Sequence, residues 1–275
     1  MPELPEVETI RIGLKKWLIG QSITEIQVME PRLRYMVDSK KLNQLLLGGQ
    51  ICKISRRSKY LIIHLHQKNC LIIHLGMTGQ LLQSRNGAPL QSHDHVLFKL
   101  EKGLQLRFRD PRRFGLIDAM IEADIDTHRF FKSLGIEPLS KGCNPFYLKK
   151  ISEGSRKPIK NFIMDTHRIA GIGNIYANEA LYKAGIRPTK ESRKISIDEW
   201  KKLTRAIKQV LKKAIQEGGT TLNDFVNSEG QEGYFQVSLQ VYGKENHSCP
   251  KCQKKIRKVT LVNRSTFFCP GCQNE

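Results

Sequence analysis

Val7, Ile10, Leu14, Trp17 and Leu18 recur at helical spacing and predict a helix from Glu6 to Leu18. Pro5 suits its first turn, and Glu6 and Glu8 complement the positive end of the helix dipole. From Ile23 to about Ile121 the pattern becomes one of strands. Tyr60–Leu65 and Leu71–Leu75 are short apolar runs separated by polar residues that include Gln67, Lys68 and Asn69. Val96–Leu100 and Leu104–Phe108 flank Glu101-Lys102-Gly103, a hairpin signal. Many short strands with turn signals predict a β-sandwich or barrel.

A transitional stretch with Gly135, Pro138 and Gly142 separates this region from a helical one. There Ser196-Ile197-Asp198-Glu199 reads as a capping box. Trp200, Leu203, Ile207, Val210, Leu211 and Ala214 form a core stripe, and Gly218-Gly219 ends the helix. A polar, glycine-containing stretch runs from Gly218 to about Gln236, and paired cysteines follow Val237. The expected class is α+β. A β-sandwich with a leading helix spans 1–130, a linker 131–145, a helical domain 146–236 and a cysteine-bearing module 237–275.

Charge narrows the partners. The formal net charge of the 275-residue chain is +20. From Lys141 onward there are 25 Lys and Arg against 12 Asp and Glu, a net of +13. So one-sided a balance calls for a polyanion, with nucleic acid ahead of an anionic membrane. No apolar run approaches the ~20 residues of a membrane span. The acidic start Met1-Pro2-Glu3-Leu4-Pro5-Glu6 lacks the apolar core of a signal peptide. An intracellular, cytoplasmic chain is expected, whose cysteines are reduced or metal-bound.

Cys249-Pro-Lys-Cys252 and Cys269-Pro-Gly-Cys272 are separated by sixteen residues. That is the spacing of a structural four-cysteine zinc site, each pair presenting two thiolates and the insert free to form a hairpin. Disulfide or redox roles fit an intracellular chain poorly. Lys254, Lys255, Arg257, Lys258 and Arg264 decorate the insert, and Cys52, Cys70 and Cys143 read as ordinary buried or partly buried residues. His93-Asp94-His95 lacks a third ligand and reads as structural.

Pro2 is small enough for Met1 to be removed, which exposes a secondary amine. An α-amine has a pKa near ~8, so more of it is free base at neutral pH than of a lysine. Such an amine can attack C1′ of a deoxyribose, expel the base and form an iminium. Glu3 beside it could exchange protons with the sugar ring oxygen. On Pro2 alone, the better reading is that Pro2 and Pro5 merely frame a helix start.

The segment Met1-Pro2-Glu3-Leu4-Pro5-Glu6-Val7-Glu8-Thr9 resembles the N-terminus of bacterial formamidopyrimidine-DNA glycosylases, and the resemblance extends along essentially the whole chain. It implies excision of 8-oxoguanine and ring-opened purines from double-stranded damaged DNA by a monomer, followed by β,δ-elimination. Pro2 would be the nucleophile, with Glu3 and Glu6 at the active site. Lys59 and His74 match residues near the lesion phosphates. His74-Leu75-Gly76-Met77-Thr78-Gly79 and Asp110-Pro111-Arg112-Arg113-Phe114-Gly115 resemble two intercalation loops. There Met77 and Phe114 would fill the stack, and Arg112 would pair with the orphaned base.

Ala170-Gly171-Ile172-Gly173-Asn174-Ile175-Tyr176 resembles the family's helix–two-turn–helix, where Asn174 grips the backbone. Lys160 and Arg264 match DNA-contacting basic residues, and the stretch from Thr220 to Phe235 resembles the loop over the extruded base. Asp165-Thr166-His167 departs from the family's Asp-Gln, so Thr166 inherits no DNA contact. Two alternatives stand. One is the related endonuclease VIII type, which prefers oxidised pyrimidines and usually has glycine at the position of Leu4. The other is a non-catalytic zinc-ribbon DNA-binding protein.

Overall fold

Chain contacts in the computed structural model, which describes residues 2–218 and 239–273, divide the protein into two units that part between Lys132 and Ser133. The first opens with helix α1 (Leu4–Leu18), two residues earlier than periodicity alone predicts. The cap explains the difference. Glu3 accepts the N–H of Glu6 and Glu6 accepts the N–H of Glu3, so two otherwise orphaned donors are satisfied and the helix closes at Leu4.

Strands β1 (Ile23–Val28), β2 (Ile51–Arg57), β3 (Tyr60–Leu65), β4 (Asn69–His74), β5 (Gln80–Arg85), β6 (Asp94–Leu100), β7 (Leu104–Arg109) and β8 (Leu116–Ile121) form two four-stranded antiparallel sheets, ordered β1-β6-β7-β5 and β2-β3-β4-β8. Alternating residues face a common core: Leu61, Ile63, Leu71 and Ile73 from one sheet, Val96, Phe98, Leu106 and Phe108 from the other. Each such side chain, fully buried, contributes about 2 kcal/mol. The region read as strands also contains helix α2 (Ser39–Leu46), capped by the Asp38 carboxylate on Lys41 N–H and buried through Leu42 and Leu46.

The second unit carries α3 (Pro145–Ser152), α4 (Ile159–Met164), α5 (Asn174–Ala184) and α6 (Ile197–Gln216). They pack around Phe162, Tyr176, Leu181, Trp200, Leu203 and Ile207. The Ser196–Glu199 capping box starts α6 as expected. The antiparallel hairpin β9 (Arg257–Leu261) and β10 (Arg264–Phe268) turns through Val262 and Asn263, both at positive φ, as a tight two-residue turn between right-twisted strands requires. Among the described residues no helix is long and apolar enough to cross a membrane.

Candidate active site and nucleic-acid interface

The start of α1 concentrates acid chemistry. Glu3 and Glu6 are only 2% and 3% exposed, and the Glu6 Oε2–Glu3 N distance is 2.8 Å. Pro2 immediately precedes them and is half-buried. One turn on, Glu8 pairs with Arg11 (2.7 Å) and with Arg56 on β2 (3.0 Å). Burial alone would raise the Glu8 pKa, but the two guanidiniums outweigh it and bring it below the usual carboxylate value. This pairing brings the helix start to the β2–β3 turn, where Ser58 adopts φ 55° and Lys59 is 9% exposed.

The expected intercalation loops are the two connections that cross between the sheets at one end of the sandwich. The last pairs of the two ladders there are His74↔Leu116 and Gln80↔Arg109. Residues 75–79 lead from β4 to β5 and residues 110–115 return from β7 to β8, so the topology sets them side by side. Gly76, at φ +61°, lies so close to Phe114 that a Cβ would fall 2.4 Å from its carbonyl carbon and oxygen. Arg112 and Phe114 are exposed, with the guanidinium stacked 4.7 Å from the ring centroid. Arg34, His74, Gly76, Met77 and Phe114 line a hollow of about 270 Å³. Arg113 is instead paired with Glu30 at 3.1 Å.

His74 Nδ1 accepts the Gly76 N–H at 3.0 Å, which leaves the ring proton on Nε2. Burial, with Lys59 and Arg34 adding to it, pushes the His74 pKa down to about 3. The ring is therefore a neutral Nε2–H donor at physiological pH. A folded pKa below the ordinary value means that its stabilising contribution is complete above about pH 6.5 and is lost as pH falls toward 3. Nitrogen NMR of the imidazole should show the Nε2–H tautomer with no titration between about pH 5 and pH 8. Asp94 and His95 are structural, as expected, whereas the His93 side chain is exposed. Asp94 binds Arg107 (3.2 Å) and Arg109 (2.8 Å), and His95 Nε2 donates to the Asp110 carbonyl (2.8 Å).

In the second unit Asn174 is the first residue of α5, preceded by the extended cap Gly173. Its Nδ2 donates to the Ser265 carbonyl at 3.0 Å, beside the exposed Arg264 at the start of β10. Lys160 departs from the expectation of a DNA-facing side chain. It is fully buried, and its ammonium donates to Ser265 O (2.9 Å) and Thr266 Oγ1 (2.7 Å). The contact is structural because a buried cation must be hydrogen-bonded, and the start of β10 supplies the acceptors. Lys160 and Asn174 thus hold the same carbonyl and fix the strand that presents Arg264.

The ligand atoms of Cys249, Cys252, Cys269 and Cys272 all lie within 4.8 Å of one another, and no disulfide joins them. The Sγ–Sγ distances include 3.8 Å for Cys249–Cys272 and 3.3 Å for Cys252–Cys269. Tetrahedral ligands at about 2.3 Å from a metal stand about 3.8 Å apart, so the donor set fits a four-thiolate site. The Tyr182 hydroxyl lies 3.2 Å from Cys249 Sγ, and Lys251 N–H donates to the same sulfur at 3.4 Å.

Local sequence reading missed Glu179. Its buried carboxylate accepts the N–H groups of Gln240, Val241 and Tyr242 at 2.9–3.0 Å and anchors the chain after the segment expected to cover the base. Nothing near Glu179 in the sequence signals partners 61 to 63 residues away. That covering segment, Thr220 to Phe235, lies outside the described residues.

Residues 1–117 match the family model described as the formamidopyrimidine-DNA glycosylase N-terminal domain, and residues 134–226 match the formamidopyrimidine-DNA glycosylase H2TH domain. A formamidopyrimidine-DNA glycosylase of Marinobacter nauticus is 46% identical over 273 residues, covering 99% of this chain and 100% of the relative. The Lactococcus lactis Fpg bound to DNA containing an abasic site superposes with a TM-score of 0.91 at 35% identity, with complete coverage of both chains. Its complex with N7-benzyl-Fapy-dG DNA gives a TM-score of 0.92.

Proposed function

This chain belongs to the formamidopyrimidine-DNA glycosylase family, and from that premise we propose that it is a bifunctional glycosylase and AP lyase for oxidised purines in duplex DNA. The observation that carries the reading is the buried, reciprocally bonded Glu3–Glu6 pair immediately behind Pro2. After removal of Met1, the Pro2 nitrogen attacks C1′. The C1′–base bond breaks, its electron pair leaves with the base, and the departing base takes up a proton. Glu3 exchanges protons with the sugar ring oxygen as the ring opens, and the product is an iminium on Pro2. The cation acidifies C2′–H. Loss of that proton expels the 3′ phosphate, and a second elimination expels the 5′ phosphate, leaving a one-nucleotide gap.

Access requires extrusion of the nucleotide. Met77 and Phe114 occupy the vacated stack, and Arg112 donates to the pairing edge of the orphaned cytosine. Lys59 and the neutral Nε2–H of His74 hold the lesion phosphates. Asn174 and Arg264 grip the backbone, and Lys160 acts through the placement of β10. Cys249, Cys252, Cys269 and Cys272 would hold one zinc ion, whose chemistry is structural because four thiolates leave no open position. We place the enzyme in the cytoplasm as a monomer.

A lesion panel tests the substrate assignment. Duplexes carrying 8-oxoguanine opposite cytosine are expected to be cleaved faster than those carrying thymine glycol. The reverse order would assign the chain to the pyrimidine-preferring type. Binding is expected to weaken steeply with salt, since each neutralised phosphate releases counterions.

A further inference from the structure

We infer that the Thr78 hydroxyl and the Asp110 carboxylate couple the two sheet-crossing loops, so that Met77 and the Arg112–Phe114 pair enter the duplex as one rigid wedge. This rests on the glycosylase reading above. The two loops are separate crossovers, and among the described residues the hydrogen bonds that join them pass through Thr78. Its Oγ1 donates to Asp110 Oδ1 at 2.5 Å and accepts the Arg112 N–H at 3.3 Å. A hydroxyl is suited to both roles at once, and a β-branched side chain holds it in place with little rotamer freedom.

Asp110 is fully buried and takes no part in the chemistry. A buried carboxylate is costly unless its oxygens are bonded. Both are: Oδ2 accepts the Gly115 N–H at 2.7 Å, which fixes the residue after Phe114. The Asp110 backbone is itself held. Its carbonyl accepts His95 Nε2 and the Arg113 N–H, and its N–H donates to the His93 carbonyl. One side chain therefore pins Thr78, one residue from the wedge, and Gly115, one residue from Phe114. Through the hydroxyl it also orients the Arg112 backbone. A base gap must be filled from both loops at once, and independent loops would lose that concerted geometry.

The test uses full-length T78V, which keeps the shape and removes the hydroxyl, and T78S, which restores it. Amide exchange at Arg112 and single-turnover excision from an 8-oxoguanine:cytosine duplex are measured. Borohydride trapping on single-stranded abasic DNA, which needs neither wedge nor partner-base reader, is the control. In T78V, exchange at Arg112 is expected to quicken and duplex excision to slow, each by about tenfold. Single-strand trapping should stay within about twofold of wild type, and T78S should recover both properties, since the two hydrogen bonds of the hydroxyl are the only interactions removed. Unchanged duplex excision in T78V, or an equal fall on duplex and single strand, would overturn the coupling. If the wild-type protein itself neither excises nor traps, the glycosylase reading fails instead. The coupling is then decided by exchange alone: faster in T78V and restored in T78S sustains it, and no change overturns it.

Discussion

Glu3→Gln is expected to slow base excision by about a thousandfold, the middle of the range for loss of a positioned acid–base group, while leaving the fold intact. The two consequences separate because the structure gives Glu3 a capping role and the proposed mechanism gives it a second, chemical one. As the cap of α1 its side chain accepts the Glu6 N–H, and a glutamine carbonyl accepts the same bond. As the proton-exchanging group beside Pro2, only the carboxyl can serve. Its near-complete burial keeps water from substituting for it. Single-turnover excision and thermal melting of the same preparation are the measurements. Activity lost with an unchanged melting temperature supports the chemical role. A melting temperature that falls with activity would make Glu3 a helix cap and no more.

Cys252→Ser is expected to release the metal and to weaken duplex binding by about a hundredfold, because binding energy at a structural zinc site is folding energy of order 10 kcal/mol. Besides the metal, β10 is held by the Lys160 and Asn174 bonds to Ser265 and by the Phe267 N–H on Asn178, a handful of hydrogen bonds that together contribute less than folding energy of that size. Two strands alone are marginal in water, and the local apolar cluster is small, built on Tyr182, Val241, Ile256 and Phe267. When it loosens, Arg264 is no longer presented, and the carbonyl shared by Lys160 and Asn174 moves with it. Arg264→Ala removes one proposed phosphate contact while the metal stays, so its loss of affinity should be smaller. Elemental analysis should find one zinc per wild-type chain and none in Cys252→Ser. Full metal content in that variant, or wild-type affinity without metal, would contradict the structural role.

What could be read in advance was what is local in the chain. Leu14 and Leu18 mark α1, Ser196 and Glu199 start α6, and the four cysteines announce their site by spacing. Helix α2 was hidden because it buries only Leu42 and Leu46, too few to reveal a helical period among strands, although the Asp38 cap was a usable signal. Lys160 reads as surface by residue type, yet acceptors more than a hundred residues away draw it into the interior. Shorter but still non-local separations, 32 residues for Asp110–Thr78 and 61 to 63 for Glu179, hid that bond and the anchoring by Glu179. Sequence fixes neither which turns lie side by side nor which amides a carboxylate collects. The pairing of β4 with β8 and of β5 with β7 does.

The identity of the nucleophile is tested most directly by borohydride reduction during turnover on an 8-oxoguanine:cytosine duplex, followed by peptide mapping of the covalent adduct. The expected result is a single adduct on the amine of Pro2, in a chain from which Met1 has been removed. An adduct on a lysine, or undiminished trapping by Pro2→Gly, would contradict it.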